Sequence, residues 1–273
     1  MSHAEHDRLL SPETRAFYCQ MLRALNAAQV PYLVGGAYAF ERYTGIARDT
    51  KDLDIFLRPT DYERVADLLA AQGCRVELTF PHWLGKAHCG DDFIDLIFSS
   101  GNAASTVDDE WFAHAVADEV LGIPCLLNPA EEMIWTKAMI MERERYDGAD
   151  VAHLLLARAA SLDWQRLLRR FGVHWRVLLS HLILFGFIYP GERDALPTWV
   201  MQTLLDRLQQ ELRIAPPSVR LCQGTLLSRA QFLIDVEQWG YQDGRLIPGG
   251  GMTVEERRQW TAAIDDEPTA RTG

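Results

Sequence analysis

Residues 48–56 read Arg48-Asp49-Thr50-Lys51-Asp52-Leu53-Asp54-Ile55-Phe56. From Asp52 to Leu57 the pattern alternates as a strand does, so Asp52 and Asp54 point to one face while Leu53 and Ile55 point to the other. A strand that buries Leu53 and Ile55 therefore displays two carboxylates side by side. A D-x-D pair alone is ordinarily solvated surface. Its meaning here comes from what flanks it.

Upstream, Tyr32 to Val34 reads as a short strand that runs into Gly35-Gly36, and Ala37 to Tyr43 reads as a helix. Glycines between a strand and a helix let backbone N–H groups approach a phosphate closely. Downstream, Phe93-Ile94-Asp95-Leu96-Ile97-Phe98 places a carboxylate inside an apolar strand. An ionised group there costs free energy unless it is paired or binds metal. Three carboxylates brought together repel one another and resist joint ionisation. One or two Mg²⁺ ions reverse that, because they supply the opposite charge and take oxygen ligands.

The series Val34-Gly35-Gly36-Ala37, then residues 48–56, then Phe93 to Phe98, resembles the polymerase-β-like nucleotidyltransferase superfamily. It is most similar to the small bacterial members, including aminoglycoside nucleotidyltransferases and the AbiEii-type toxins of toxin–antitoxin systems. The resemblance spans roughly residues 30–100. It implies that Gly35 and Gly36 cradle phosphate, that Asp52, Asp54 and Asp95 bind magnesium as a catalytic triad, and that Asp95 serves as base. Gly36 departs from the many relatives that carry serine there, leaving the work to backbone N–H groups.

Arg48 and Lys51 flank the metal pair and either contact phosphate or offset the acidic cluster. Lys137, followed by Asp147 and Asp150, matches a lysine and D-x-x-D segment of the toxins. The resemblance gives Lys137 a charge contact to the triphosphate; an exposed helix position is the other reading. Asp147 and Asp150 read as a helix N-terminus.

Further signals place the remaining elements. Ser11 and Pro12 open a helix that runs through Val30. Thr60-Asp61-Tyr62-Glu63 is a capping box ahead of a helix ending near Gly73. Strands are predicted at Arg75 to Leu78 and Leu84 to His88, with one more strand or hairpin over Glu119 to Leu127. Asn128-Pro129-Ala130-Glu131 is a second capping box. Beyond it the pattern is helical: Pro129 to Arg145, Gly148 to Ala160, Trp164 to Phe171, His174 to Phe187, Pro197 to Leu212 and Cys222 to Trp239.

The expected fold is therefore α+β, with a nucleotidyltransferase-type mixed sheet flanked by helices and then an all-helical domain. The expected boundaries are 1–128, 129–248 and a tail at 249–273 with a short helix from Thr253 and a disordered end. Gly224 to Gly244 is aromatic and polar together, compatible with folding back on the first domain.

The formal net charge of −11 argues against broad nucleic-acid binding, which needs a basic footprint. Five scattered cysteines form no C-x-x-C pair and read as reduced, in a cytoplasmic protein. No apolar signal core opens the chain, and Val177 to Tyr189 is too short to span a bilayer, so it reads as a buried helix and no membrane is expected. His82, His88 and Cys89 match no zinc spacing. Trp135, Trp164, Trp175 and Trp199 read as core, and Arg143, Arg145, Arg166, Arg169 and Arg170 as a solvated helix face.

The function so implied is transfer of a nucleoside monophosphate from an NTP such as ATP to a hydroxyl acceptor, either a small molecule or an RNA end, with release of pyrophosphate. The alternative is a non-catalytic nucleotide- or partner-binding module on the same fold. An antitoxin partner is implied by the resemblance alone.

Overall fold

The computed structural model describes residues 10–48, 50 and 52–266. Lys51 and the tail from Glu267 lie outside them, so the expectations for those residues find no counterpart here.

Helix α1 (Pro12–Ala27) starts as its sequence dictates: Ser11 Oγ accepts from Thr14 N, and Pro12 occupies the first turn. Strand β1 (Leu33–Val34) is short and fully buried, and it leads through Gly35 into α2 (Gly36–Thr44). Strand β2 (Leu53–Phe56) buries Leu53 and Ile55 and leaves Asp54 and Phe56 half-buried, which is the expected alternation. A 3-10 turn at Pro59–Asp61 precedes α3 (Tyr62–Ala71), so the box expected at Thr60 makes no side-chain cap. Then come β3 (Arg75–Phe80), β4 (Leu84–Cys89), β5 (Asp92–Ile97) and α4 (Asp109–Ala113), the last not foreseen.

Strands β6 (Val116–Val120) and β7 (Ile123–Leu127) form the hairpin. Its two-residue turn, Leu121-Gly122, has φ of 54° and 80°. Positive φ at both positions suits the twist of paired strands, yet leucine hides the signal.

The seven strands form one mixed sheet in the order β3-β4-β5-β2-β1-β7-β6. Strand β2 runs parallel to β5 and antiparallel to β1, with Asp54 directly opposite Asp95. Strand β4 runs antiparallel to β5, with Lys86 opposite Asp95. Directly paired residues project to one face. Lys86, Asp95 and Asp54 thus stand in a row across three adjacent strands.

The second half builds helices α5 (Ala130–Ala138), α6 (Gly148–Arg158), α7 (Trp164–Phe171), α8 (Trp175–Ile188) and α9 (Thr198–Glu211). Helix α5 ends seven residues before the expected Arg145, and residues 139–147 instead form a loop closed by the Met141–Tyr146 bridge. By length and composition the run Trp164–Ile188 is apolar enough to cross a membrane. It is nevertheless broken at Gly172 (φ 46°), and α8 buries Trp175, Leu178, Leu179, Leu182 and Phe185. His181 Nε2 lies 3.0 Å from Ala138 O, which satisfies the polar atom of that buried face. The helix is not buried all round as expected, since Ile183, Leu184, Phe187 and Ile188 are exposed. Trp135, Trp164 and Trp175 are core as expected, whereas Trp199 is 47% exposed.

The arginine reading needs the larger correction. Arg166 is buried, with Nη2 and Nη1 each 2.6 Å from Glu131 and Glu132 respectively. Arg170 Nε reaches Glu132 at 3.0 Å, and its other nitrogens reach Asp108. The two acids of the first α5 turn are therefore neutralised inside the protein rather than in solvent.

The helix expected over Cys222 to Trp239 is also replaced. Strand β8 (Leu221–Cys222), a 3-10 turn at Gly224–Leu226, α10 (Leu233–Glu237) and β9 (Gln242–Asp243) stand there, with β8 parallel to β9. The glycines and the Asp243–Arg245 ion pair, 2.7 Å long and buried, hold this irregular segment together. Helix α11 (Val254–Asp266) follows and returns to the sheet, where Trp260 packs edge-on against Phe80 and Trp83 at 4.8 and 5.3 Å.

Candidate active site

Between the sheet and the helices lies a cleft of about 700 Å³, and Asp52, Asp54, Asp95, Gly36, Arg48 and Lys137 all line it. One oxygen from each of the three aspartates lies within 4.8 Å of the others. Among the described residues this is the only group of three or more His, Cys, Asp or Glu close enough to share an ion.

Each acid has a distinct setting. Asp52, just before β2, accepts from Thr50 Oγ1 at 2.6 Å. Burial, then the charges of Asp52 and Asp95, push the Asp54 carboxyl up to about 7, against the pull of Lys137 and Arg145. Burial also raises Asp95, although Lys86 Nζ donates to its Oδ1 at 2.6 Å. The charged partner that Asp95 needs is thus supplied in part by lysine, on the neighbouring strand. In the sequence Lys86 is only one residue of the strand Leu84 to His88.

Against this cluster rests the start of α2. Gly36 has φ +52°, and a Cβ there would lie 1.6 Å from Asp54 Oδ2. A serine at 36 is therefore excluded in this conformation, which accounts for the glycine in physical terms. Gly35 caps α2 without a side chain, and its own Cβ would strike Phe56 at 2.3 Å. The first N–H groups of a helix have no intrahelical acceptor, and their dipole favours an anion.

Opposite stands a second charged layer. Lys137 Nζ bridges Asp147 (3.1 Å) and Asp150 (2.7 Å), and Arg145 grips Asp147 with two bonds of 3.0 Å. Arg48 pairs with Asp150 and lies over the Phe40 ring. Asp147 does not cap α6 with its side chain. Its carboxyl is held below the usual range because the Arg145 and Lys137 bonds outweigh burial. Lys137 is thus a cleft residue and not a solvated one.

The far wall comes from the returning C-terminal segment. Asn102 Nδ2 donates to Leu226 O at 2.6 Å, Met141 N to Leu227 O at 2.9 Å, and Arg229 N to Glu142 at 2.9 Å. Leu226, Leu227, Ser228, Arg229 and Trp260 all line the cleft, which gives the aromatic and polar stretch near Gly224 its place.

No family model matches the sequence, and no curated protein matches it. Solved structures similar to this chain are nucleotidyltransferases and nucleotidyltransferase-like proteins. The antibiotic-resistance factor ANT(2'')-Ia is 17% identical over 63% of this chain and 98% of its own, with a TM-score of 0.45. The lincosamide antibiotic adenylyltransferase LnuA, in its lincomycin-bound structure, is 15% identical over 53% of this chain and 96% of its own, at 0.38. An antigenic nucleotidyltransferase-like protein from Paracoccidioides brasiliensis is 13% identical over 68% of this chain and 92% of its own, at 0.39. These likenesses are partial.

Proposed function

We propose that the protein transfers a nucleoside monophosphate from a magnesium-bound NTP to a hydroxyl of a small molecule, releasing pyrophosphate. The observation that carries this reading is the trio Asp52, Asp54 and Asp95, gathered within 4.8 Å beside the uncapped N-terminus of α2.

The trio fits a magnesium site: three hard oxygen donors share a space with one lysine, and burial together with the neighbouring Asp52 and Asp95 charges raises the Asp54 carboxyl, a cost that a bound cation would offset. Bound there, Mg²⁺ would offset triphosphate charge and stabilise an in-line displacement at phosphorus. The chain's own residues do the remainder. Gly35 and Gly36 let the α2 amides meet phosphate, and Lys137 and Arg48 supply positive charge from the opposite wall. The acceptor oxygen attacks the α-phosphorus, the bond to the bridging oxygen breaks, and pyrophosphate leaves. The hydroxyl proton passes to Asp95, the member of the trio on the neighbouring strand β5. On this reading the unit proposed at 1–128 carries the triad, the unit proposed at 129–248 closes the cleft, and Trp260 of α11 lines its outer wall.

Among described cleft residues there are seven acids and five bases, and Lys137, Arg145, Arg48 and Lys86 are each paired with an acid. Such a rim does not attract an RNA end, which favours the small acceptor. The five cysteines are all free, which suits a reducing compartment such as the cytoplasm.

The test is pyrophosphate release with magnesium, each of the four NTPs and a broad acceptor panel. Wild type turns over on at least one acceptor and the Asp52→Ala/Asp54→Ala variant does not. Equal behaviour of the two across the panel overturns the catalytic reading. Tight NTP binding by wild type without turnover on any acceptor identifies a binding module instead.

A further inference from the structure

We infer that Asn128 is a phosphate-binding residue, its side-chain amide donating to the anion held at the start of α2; this rests on reading the cleft as a triphosphate site. In the sequence Asn128 looks like the first residue of a capping box. The structure assigns the α5 cap to Pro129, with no side-chain bond, and Glu131 turns away to accept from Asp163 N at 2.6 Å. The Asn128 side chain is left without its advertised task.

Its backbone is pinned at both ends. The Asn128 N–H donates to Val34 O on β1 at 3.0 Å, and its carbonyl accepts from Tyr43 Oη, on α2, at 2.7 Å. These bonds set the residue across the strand-to-helix junction. From there the side chain crosses Gly35, where an added Cβ would lie 2.6 Å from Asn128 Nδ2. Asn128 lines the cleft, is only 2% exposed, and its Oδ1 has no hydrogen-bond partner.

A phosphate oxygen accepts, so the atom that would meet it is Nδ2, which lies over Gly35; Oδ1 is itself an acceptor and is not satisfied by the anion. The groups around it decide the ligand class. Gly36, the next residue after Gly35, opens the helix with its backbone N–H, and it is the residue that abuts the Asp54 carboxylate, which marks the metal end of a triphosphate. A neutral N–H donor beside them adds a hydrogen bond to phosphate without competing with the metal for Asp54. Rotation of the amide by half a turn decides which pole faces the ligand.

The experiment is calorimetric titration of the full chain with ATP and with inorganic pyrophosphate, each with magnesium, comparing wild type, Asn128→Ala and the isosteric Asn128→Asp. Thermal unfolding is measured in parallel. Asn128→Ala weakens both ligands by about tenfold to a hundredfold, the loss of a hydrogen bond to a charged group. Asn128→Asp weakens them further, because it sets a charge against the phosphates. The unliganded melting temperature of Asn128→Ala stays level or rises, since no protein hydrogen bond is lost. Should Asn128→Ala be poorly folded, Asn128→Ser, which removes the amide donor without adding a charge, takes its place in the titrations. Unchanged pyrophosphate affinity in Asn128→Ala, with wild type binding, overturns the role of Asn128 and leaves the triphosphate reading standing. A wild type that binds neither ligand overturns both.

Discussion

The first residue of α2 abuts the aspartate of β2: a side-chain carbon on Gly36 would lie 1.6 Å from Asp54 Oδ2. The helix start and the acidic cluster are therefore one unit, in which a helix dipole and a carboxylate share a contact. Gly36→Ala or Gly36→Ser meets both this clash and a φ of +52°. Each costs stability, the backbone alone by about 1–2 kcal/mol. Denaturant unfolding is expected to show at least that loss, with nucleotide transfer abolished in the folded fraction. A fully active Gly36→Ser variant would contradict the geometry.

Lys86 and Asp95 make a second testable pair. The bond is 2.6 Å long and its members are 24% and 12% exposed. Removing the ammonium in Lys86→Met leaves a mostly buried carboxylate without its hydrogen-bonded cation. The expected loss is about 1–3 kcal/mol without metal. Magnesium supplies the missing charge, so it raises the melting temperature of Lys86→Met more than that of wild type. Equal magnesium shifts in the two proteins would count against a metal at Asp95.

The raised Asp54 carboxyl links metal binding to pH. Its value of about 7 lies above the usual 3.8, so the folded chain holds this proton more tightly than the unfolded one. Without metal the group leaves stability unaffected at pH well below ~4 and destabilises the fold progressively as pH rises through about 7. Magnesium binds the carboxylate and competes with the proton. Its affinity should climb between about pH 6 and pH 8, with proton release on binding near the lower end. Calorimetry in buffers of different ionisation enthalpy reads both quantities; a flat affinity across that range refutes the coupling.

Arg166 supplies a structural contrast. It is 3% exposed and holds Glu131 and Glu132 outside the set of cleft residues. Arg166→Met leaves Glu132, itself wholly buried, with Arg170 alone. A loss of about 3–5 kcal/mol is expected in urea unfolding, with NTP affinity of the folded protein unchanged. A selective loss of NTP affinity would show that this network reaches the cleft.

How far the sequence discloses the site depends on how local each determinant is. Asp52, Asp54 and Gly35-Gly36 are legible because strand alternation and a strand-to-helix junction act over a few residues. The Asp95 carboxylate is legible from its apolar flanks. Lys86 was within reach: a two-residue turn at Gly90-Asp91 fixes Lys86 opposite Asp95 once the hairpin is recognised. Asn128 is concealed by a motif that imitates a helix cap. The far wall is set by contacts such as Asn102 with Leu226, 124 residues apart, and no periodicity reports those. The buried arginines fail for a related reason, since charge on a helix face reads as solvated until another helix brings carboxylates to it.

Mass spectrometry of an acceptor mixture or cell extract, incubated with labelled NTPs, magnesium and purified protein, tests the central claim most directly. The account predicts at least one hydroxyl-bearing small molecule heavier by a nucleoside monophosphate, with pyrophosphate formed in equal amount. It also predicts that this product is missing with Asp52→Ala/Asp54→Ala and strongly reduced with Asp95→Asn. A labelled product of the same mass and yield from wild type and the double variant would contradict it.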